Sequence, residues 1–519
     1  MSFAFIILGI GVPLWWHTTS VLRVPLPYSG IADLSNLETK FQTKIVIAAT
    51  SLTYAETLMN EIINSLEKPT LLRLDISHKI VSKDVVNSAF TLYDHEKIAE
   101  KFDVQIGQLL FLESPNFNQI FIGLKRNIFF PSKTKGSELT HILSQIILRD
   151  KSLLLTQNAL TEPTIYRLDE ENRRRFPPSV NYDVLVTIIN PDPDRLKIKW
   201  NLLTLTEDYI EPFLNQLSMV ANFSIKSQWL YLLPFAITPK QIIDSSPLRR
   251  HYAFVEDILP QLITPLEKKL ASQVSLHPCI NLVMYAVPCS ESPIYIYTKT
   301  GHKSKSLNNI EAFMSPRWGG VVISNPPLDV CNQTIIEDSY DSVVEVEPNP
   351  LLIMGTFLSQ LRLLLGIPEP DDEIPNISIV ALGETLIRDW ELDALLRVKA
   401  VEQLTSAKLT LQSLAQLLEE ISNIVITETV GNRIKKALEL IKLSAQKLNN
   451  GELVDGFLLS KEAFITSEAA FSDPSLLALL YFPEDQKYAV YIPLFLPIMI
   501  PVLFSIKNIK QYYFPNKPN

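Results

Sequence analysis

Residues 183–189, Asp-Val-Leu-Val-Thr-Ile-Ile, are a short run of mostly aliphatic and β-branched side chains and predict a β-strand. The same part of the chain contains further predicted strands at Trp229–Leu233, Ile280–Val287, Ile294–Tyr297 and Gly320–Ser324. Helices are predicted at Glu207–Val220 and Leu351–Leu365, where they cover the sheet. The pattern predicts an α/β fold for residues 179–380.

A similar pattern occupies residues 24–170. Short β-branched runs alternate with helical stretches, and strands are predicted at Lys44–Ala49, Leu109–Glu113 and Ile120–Leu124, with a helix at Leu139–Leu148. The segment Asp169–Pro178 combines several charges with two prolines and predicts an exposed connection. We therefore expect two α/β parts, 24–170 and 179–380.

Residues 386–474 have a different pattern, with apolar side chains at helical spacing. One stripe comprises Leu404, Leu411, Leu414, Leu418 and Ile421, a second comprises Ile434, Leu438, Ile441, Ala445 and Leu448, and Phe457, Phe464 and Phe471 follow at heptad spacing. Asn449-Asn450-Gly451 is expected to end the second helix, and Asp473-Pro474 the third. The pattern predicts three helices.

The apolar segment Tyr488–Ile506 contains about 19 residues without a charge, enough for a helix to cross a bilayer. Pro493, Pro497 and Pro501 predict a kinked helix that packs against a partner. Lysines in the tail 507–519 favour a cytoplasmic position for that tail and hence a luminal position for the main body. A GPI-attachment signal is the alternative, but such signals end in the apolar run itself.

The N-terminal residues 1–19 begin with a second apolar run that closes on two tryptophans. We expect a retained transmembrane helix; the alternative is a cleaved signal peptide, although no small-residue cleavage site follows the run. Three sequons, at Asn222, Asn332 and Asn376, lie between the two predicted spans. These residues are the candidate N-glycosylation sites, since they fall on the predicted luminal side.

Composition excludes several classes of protein. The formal net charge of -9 argues against a protein that binds phosphate backbones, so no nucleic acid is expected as a partner. Cys279, Cys289 and Cys331 are the three cysteines, so at most one disulfide can form within the chain and one thiol is left over.

Recognisable catalytic motifs are absent from the sequence: it contains no Walker loop, no zinc-protease helix and no nucleophile elbow. Cys279 or Cys289 near His277 could form a nucleophile pair, but both cysteines flank an apolar strand and are better explained as structural thiols. Asp192-Pro193-Asp194 follows a predicted strand and could hold a divalent cation on a sugar nucleotide. The same residues also form a favourable turn, which we prefer.

Two further motifs have simpler explanations. Gly9-Ile10-Gly11 resembles a dinucleotide-binding turn, but it lies within the apolar N-terminal run, where small residues favour helix contacts. The run Arg173–Arg175 could contact an acidic partner or lipid, but a solvated loop is the better explanation beside two prolines. We therefore predict no catalytic residue, no cofactor and no metal.

Many segments in a fixed order resemble the PIG-S family, the S subunits of the GPI transamidase complex. They are Gly11–Thr19, Leu26–Ser29, Asn190–Pro193, Glu211–Asn215, Asn222–Ser224, Ser315–Gly320, Gln360–Ile367, Trp390–Asp393, Ile421–Ile426, Asp473–Leu477 and Tyr481–Lys487. The resemblance covers nearly the whole chain.

The resemblance implies a non-catalytic, structural or assembly subunit in the endoplasmic reticulum membrane, with both termini cytoplasmic and a large luminal domain. It implies a hetero-oligomer with PIG-K, PIG-T, PIG-U and the anchor-attachment subunit, in contact with membrane lipid. Two alternatives remain at this point. One is a membrane-tethered luminal glycosyltransferase that uses Asp192 and Asp194; the other is a luminal protein that binds proprotein tails outside a stable complex.

Overall fold

The molecule is described by a computed structural model. It describes residues 6–11, 13–14, 17, 23–66, 68, 70–245, 248–304, 310–329, 331, 343–370, 375–383, 385–421, 424–478 and 484–513. Of the predicted N-terminal span, only 6–11, 13–14 and 17 fall within these residues, and Ile7–Gly11 forms a π-helical turn. Gly9-Ile10-Gly11 therefore lies in a helical turn.

The first elements of the chain alternate helices and strands. They are α1 (Tyr28–Ala32), β1 (Phe41–Ala49), α2 (Leu52–Ser65), β2 (Leu72–Ile80), α3 (Lys83–Asn87), α4 (Leu92–Ala99), β3 (Gln108–Glu113), β4 (Ile120–Ile122), β5 (Asn127–Phe130), α5 (Gly136–His141), α6 (Asp150–Thr161) and α7 (Glu170–Arg174). The predicted strands at Lys44–Ala49 and Leu109–Glu113 correspond to β1 and β3. A π-helical segment, Ile142–Ile147, continues α5, so that the two together match the predicted helix Leu139–Leu148.

The middle of the chain is richer in strands. Its elements are β6 (Asn181–Asn190), β7 (Leu196–Ile198), α8 (Leu202–Leu205), α9 (Glu211–Gln216), β8 (Asn222–Tyr231), β9 (Lys240–Ser245), β10 (Leu248–Val255), α10 (Leu259–Glu267), β11 (Cys279–Ala286), β12 (Ile294–Tyr297), β13 (Ile310–Ser315), β14 (Gly319–Ser324), β15 (Val344–Val346), α11 (Pro350–Leu365) and β16 (Ile377–Ile379). The predicted strands at Asp183–Ile189, Ile280–Val287 and Gly320–Ser324 are confirmed as β6, β11 and β14.

Helices follow. They are α12 (Asp389–Glu420), α13 (Glu428–Asn449), α14 (Leu453–Phe471), α15 (Pro474–Ala478) and α16 (Glu484–Tyr513). The mixed α/β fold with helices at its C-terminal end is as predicted, and Gly451 lies between α13 and α14 with a positive φ of 81°. None of the helices, as far as their residues are described, combines the length and the apolar character that a membrane crossing requires. The transmembrane helices predicted at 1–19 and 488–506 are thus not supported by the structure.

The chain divides into two compact units. Residues 39–402 and 446–457 form the larger unit, which contains the sheets. Residues 1–38, 403–445 and 458–519 form the smaller unit. The boundary between the units falls within helices α12, α13 and α14.

The larger unit contains a six-stranded sheet with the order β16-β4-β5-β3-β1-β2. Strand β1 pairs in parallel with both β2 and β3, whereas β4 and β5 are antiparallel. Helix α2 packs on β1 and β2. The edge strand β16 pairs in parallel with β4, although more than 250 residues separate the two strands in the sequence. The last strand of the first sheet is therefore contributed by a segment near the end of the larger unit's sequence.

A second sheet of five strands has the order β13-β14-β11-β6-β8. The four strands from β14 to β8 are parallel, and β13 is antiparallel to β14. On one face, Val283, Tyr285 and Ile323 pack with the buried side chains of α10. Helix α11 packs on β14 and β11, with Gln360 facing Gly320. Cover on both faces explains why β6 and β11 are buried along almost their whole length and rich in aliphatic residues.

In the smaller unit the apolar stripes of α12 and α13 are buried as predicted at Leu411, Leu418 and Ile441, each 0% exposed. The predicted stripe of α14 is confirmed only at Phe457, which is 0% exposed. Phe464 is only partly buried and Phe471 is 48% exposed. After Phe457, the buried side chains of that helix are small, namely Ser460, Ala463, Ser467 and Ala470. They recur at three- and four-residue spacing, so they follow the helical period better than a strict seven-residue repeat.

Candidate functional site

The Asp192-Pro193-Asp194 segment forms a turn. The Asp192 backbone N–H donates to Asn190 Oδ1 over 3.2 Å, and the Asp192 carbonyl accepts from the N–H groups of Arg195 and Leu196. Across the described ranges, no three His, Cys, Asp or Glu side chains are grouped so as to hold a metal ion. The turn predicted at this position is confirmed, and the sugar-nucleotide site at Asp192 and Asp194 has no support.

The three cysteines have two different states. Cys289 and Cys331 form a disulfide across 42 residues, whereas Cys279 is free at the start of β11. Burial raises the pKa of the Cys279 thiol to about 11, and the nearby Asp183 carboxylate adds to the rise. At neutral pH Cys279 is therefore a thiol, and the thiolate is the nucleophilic form. The sequence allowed at most one disulfide, and the structure forms it between Cys289 and Cys331.

Two of the three sequons lie on described residues, and both asparagines are exposed. Asn222 is the first residue of β8, and its Nδ2 donates to Asn181 Oδ1 over 3.1 Å. Asn376 precedes β16 and has a positive φ of 64°. Asn332 lies outside the described residues. Glycosylation at all three positions stays a prediction.

The Arg173–Arg175 run is not the solvated loop that the sequence predicts. Arg174 pairs with Glu170 on the short helix α7, but Arg175 is 4% exposed. The Arg175 guanidinium lies 2.8 Å from Glu402 Oε1 and donates to Asn172 Oδ1 over 2.6 Å. Sequence reasoning missed this buried pair because Glu402 is more than two hundred residues away along the chain.

The first half of α12 is largely buried, and from Glu391 to Glu402 all its charged side chains are buried. Asp393 is 2% exposed at its side chain; it lies 2.7 Å from Arg126 Nε and 2.9 Å from Arg126 Nη2. It also accepts the Gly107 backbone N–H over 2.9 Å. Burial lowers the pKa of Arg126, but its hydrogen bond and its attraction to Asp393 outweigh burial and raise it. Asp393 is therefore the counter-charge of a buried arginine.

Two further ion pairs lie along the same helix. Glu391 accepts from Arg362 Nη2 over 2.9 Å and from Arg388 Nη1 over 2.7 Å, and all three side chains are about 5% exposed or less. Arg397 is 2% exposed and donates to the Gly107 carbonyl over 3.2 Å. Burial lowers the pKa of Arg397, against the attraction of Asp393. These pairs tie α12 to α11 and to the loops of the first sheet.

A signal for this network is visible in the sequence once its location is known. Residues 389–402, DWELDALLRVKAVE, place acidic and basic side chains three and four apart without an apolar stripe. Such a pattern also describes an exposed helix with surface ion pairs, and the sequence alone favours neither.

A cavity of about 700 Å³ opens beside this part of α12. Its floor consists of buried apolar side chains, among them Trp390, Leu395 and Val398. Its rim carries the Arg174 and Glu170 pair. The acidic groups that line the cavity, Glu170, Glu369 and Glu391, are each paired with an arginine, so the cavity is suited to binding an apolar group rather than to acid or base chemistry.

The segment Ser315–Gly320 permits a close approach of backbones. Gly319 pairs with Asn281 of β11, and a Cβ added at Gly319 would lie 1.9 Å from the Asn281 carbonyl oxygen. A Cβ at Gly320 would lie 2.0 Å from Gln360 Oε1. The two glycines thus allow β14 to pair with β11 and α11 to lie against it.

Comparison with known proteins extends over nearly the entire chain. The family model for PIG-S, Phosphatidylinositol-glycan biosynthesis class S protein, matches residues 2–515. Proteins named GPI-anchor transamidase component PIGS from Bos taurus and Homo sapiens are each 34% identical to this chain, over 98% of this chain and 94% of the relative. A Saccharomyces cerevisiae protein named GPI transamidase component GPI17 is 23% identical over 98% of this chain and 91% of its own length. On this evidence, the chain belongs to the PIG-S family.

Proposed function

We propose that this chain is a non-catalytic, structural and assembly subunit of a GPI transamidase complex, which attaches GPI anchors to proproteins. The observation that carries the proposal is the family match over residues 2–515, since the relatives are named as components of that transamidase. The state of the cysteines supports a non-catalytic role, because two are joined in a disulfide and the third is held as a thiol.

The proposed partners are the subunits that the sequence resemblance implies, namely PIG-K, PIG-T, PIG-U and the anchor-attachment subunit. In this arrangement PIG-K supplies the cysteine nucleophile. The two α/β parts, 24–170 and 179–380, and the helical region, 386–474, supply the surfaces to which those subunits bind. The ion pairs along α12 support such a role, because a scaffold needs a rigid core to hold its surfaces in place.

Deleting the gene for this chain is expected to abolish anchor attachment, and adding back the unmodified chain is expected to restore it. Adding back Cys279→Ala is expected to restore attachment to the same level, since a thiol with a pKa of about 11 is a poor nucleophile at neutral pH. Surface display of a GPI-anchored reporter measures both. An unattached reporter in cells that contain normally folded Cys279→Ala protein would contradict the non-catalytic role.

We further propose that the chain is anchored in the endoplasmic reticulum membrane by residues 1–19 and 488–506, with the body luminal and both termini cytoplasmic. The uncharged run 488–506 and the lysines after it support this topology. Protease added outside sealed microsomes is expected to spare the body, and endoglycosidase is expected to shift its mobility through glycans at Asn222, Asn332 or Asn376. Digestion of an unglycosylated body would overturn the topology.

A further inference from the structure

Strand β8 lies at one edge of the second sheet. It runs for ten residues, Asn222–Tyr231, and pairs in parallel with β6 along its whole length. Among the described residues, no other strand pairs with it. The side of β8 that faces away from β6 is therefore an open sheet edge.

Two backbone hydrogen bonds establish which residues face outward. The Asn222 N–H donates to the Val180 carbonyl over 2.8 Å, and the Leu232 N–H donates to the Asn190 carbonyl over 3.0 Å. Main-chain groups alternate in direction along a strand, so the even-numbered residues of β8 face β6. The N–H and C=O groups of Phe223, Ile225, Ser227, Trp229 and Tyr231 consequently point outward.

This edge lacks the features that usually block strand addition. Exposed edges are commonly protected by proline, by bulges or by outward lysines. Strand β8 contains no proline, and its lysine, Lys226, lies 2.5 Å from Asp183 Oδ2. Tyr231 is 55% exposed and stacks on Trp229, so the end of the edge presents aromatic surface.

A groove of about 400 Å³ runs between α9 and the first half of β8. Leu214 of α9 and the side chains of Phe223 and Ile225 line it. Because side chains on a strand alternate between faces, Phe223 and Ile225 lie on the same face of the sheet. A strand that adds to β8 would place alternate side chains on this face, next to the groove.

The groove has acidic surroundings. Glu211 lines the groove. Glu207 and Asp208 precede Glu211 by about one helical turn. All three are exposed, and none of them forms an ion pair with any residue that the structure describes. A partner that carries lysine or arginine here would gain attraction that a neutral or acidic partner would not.

We propose that β8 receives an extended segment of another polypeptide, which adds to the sheet as a strand, places an aliphatic side chain in the groove and carries a basic side chain opposite Glu211. Among polypeptide conformations, an extended chain has the donors and acceptors at the spacing that matches the outward groups of β8. Asn222 is the first residue of β8 and also lines the groove, so a glycan on Asn222 would limit the paired stretch to Ile225–Tyr231 and the inserted side chain to the part of the groove beside Ile225. The inference rests on the proposed function in taking the partner to be a subunit of the same complex.

The decisive variant is Ser227→Pro in the full-length chain. It removes an outward N–H at an exposed position and keeps the pairing with β6, because proline is tolerated at edge positions that face solvent. We expect co-purification of at least one subunit in mild detergent to fall tenfold or more. His78→Pro is the matched control: His78 is exposed on the edge strand β2 and also faces away from its neighbour, since the Val81 N–H donates to Ala49. This control is expected to leave co-purification unchanged.

A second pair of variants tests the proposed attraction between Glu211 and a basic side chain of the partner. Glu211→Arg is expected to lower recovery of the same subunit at least threefold, whereas Glu162→Arg, at an exposed acidic residue outside the groove, is expected to have no effect. A photo-crosslinking residue at position 227 should react with one segment of that subunit, and this segment should contain lysine or arginine.

The outcomes separate the two proposals. If the unmodified chain recovers no other subunit, the proposed function fails. If it recovers the subunits while folded Ser227→Pro and Glu211→Arg do so equally well and position 227 crosslinks to no polypeptide, then the docking strand alone is refuted. Should Ser227→Pro fail to fold, the crosslink at position 227 and Glu211→Arg decide the matter.

Discussion

Replacing Asp393 by asparagine is expected to lower the free energy of unfolding by about 3–5 kcal/mol, the usual cost of breaking a buried ion pair. The asparagine keeps the size of the side chain but removes the charge. The Arg126 guanidinium, with which Asp393 forms two short contacts, is then left largely buried without its main counter-charge. Arg397, which is 2% exposed, also loses its electrostatic attraction to the Asp393 carboxylate.

Asp389→Asn is the matched control. Asp389 contacts the same arginine over 3.1 Å, but its side chain is 46% exposed, and solvent screens the pair. A loss below about 1 kcal/mol is therefore expected. Unfolding of the purified full-length protein in denaturant measures both variants. Equal losses for the two variants would mean that burial of the Asp393 pair does not contribute as described.

A double variant separates charge burial from lost packing. Arg397→Met in the Asp393→Asn background removes one of the two buried positive charges, so it is expected to recover part of the stability that Asp393→Asn loses. If the losses of unfolding free energy from the two substitutions simply add, the charge of Asp393 does not stabilise the buried Arg397 guanidinium.

Gly319→Ala is expected to cost about 3 kcal/mol or more, at the upper end of what overpacking costs. The new methyl group would lie 1.9 Å from the Asn281 carbonyl oxygen, and that atom belongs to the backbone of a central strand. Gly319 also has a positive φ of 153°. The strands β11 and β14 would have to separate, and this disrupts the middle of the second sheet.

Gly355→Ala is the control for that variant. Gly355 lies within helix α11, and apart from its chain neighbours and the nearby backbone of that helix, no described atom lies within 4 Å of the position that its Cβ would take. Alanine is expected to stabilise the helix by up to about 1 kcal/mol, because it restricts the unfolded chain more than glycine does. Thermal unfolding of both variants tests the pair; a Gly319→Ala protein as stable as the parent would show that the approach of β11 and β14 is not as close as described.

Strands with uninterrupted apolar runs were predictable from the sequence. β6, β11 and β14 are buried nearly throughout, and burial on both faces leaves a continuous aliphatic run. Edge strands were harder to predict. β2, with the sequence LRLDISHKI, contains charges because most of its side chains face solvent, and it was missed. Only the end of β8 was predicted, since its first half carries polar residues.

Contacts between distant segments were beyond sequence reasoning. Strand β16 has three residues, too few to show a period, and its pairing with β4 depends on where the chain returns. The pair of Arg175 with Glu402 has the same origin. A run of arginines beside prolines predicts a solvated loop. Only the structure shows that Glu402, from another segment, pairs with Arg175.

By itself, the sequence determined the fold class, the apolar strands, the three long helices and the membership of a family, because periodicity and local motifs are written in neighbouring residues. The tertiary structure alone decided which charges on α12 are buried, which cysteines pair and which strand stands open at the edge of the second sheet. The physical reason is that burial and pairing depend on what lies opposite a residue in space, and residues far apart in the chain supply those partners.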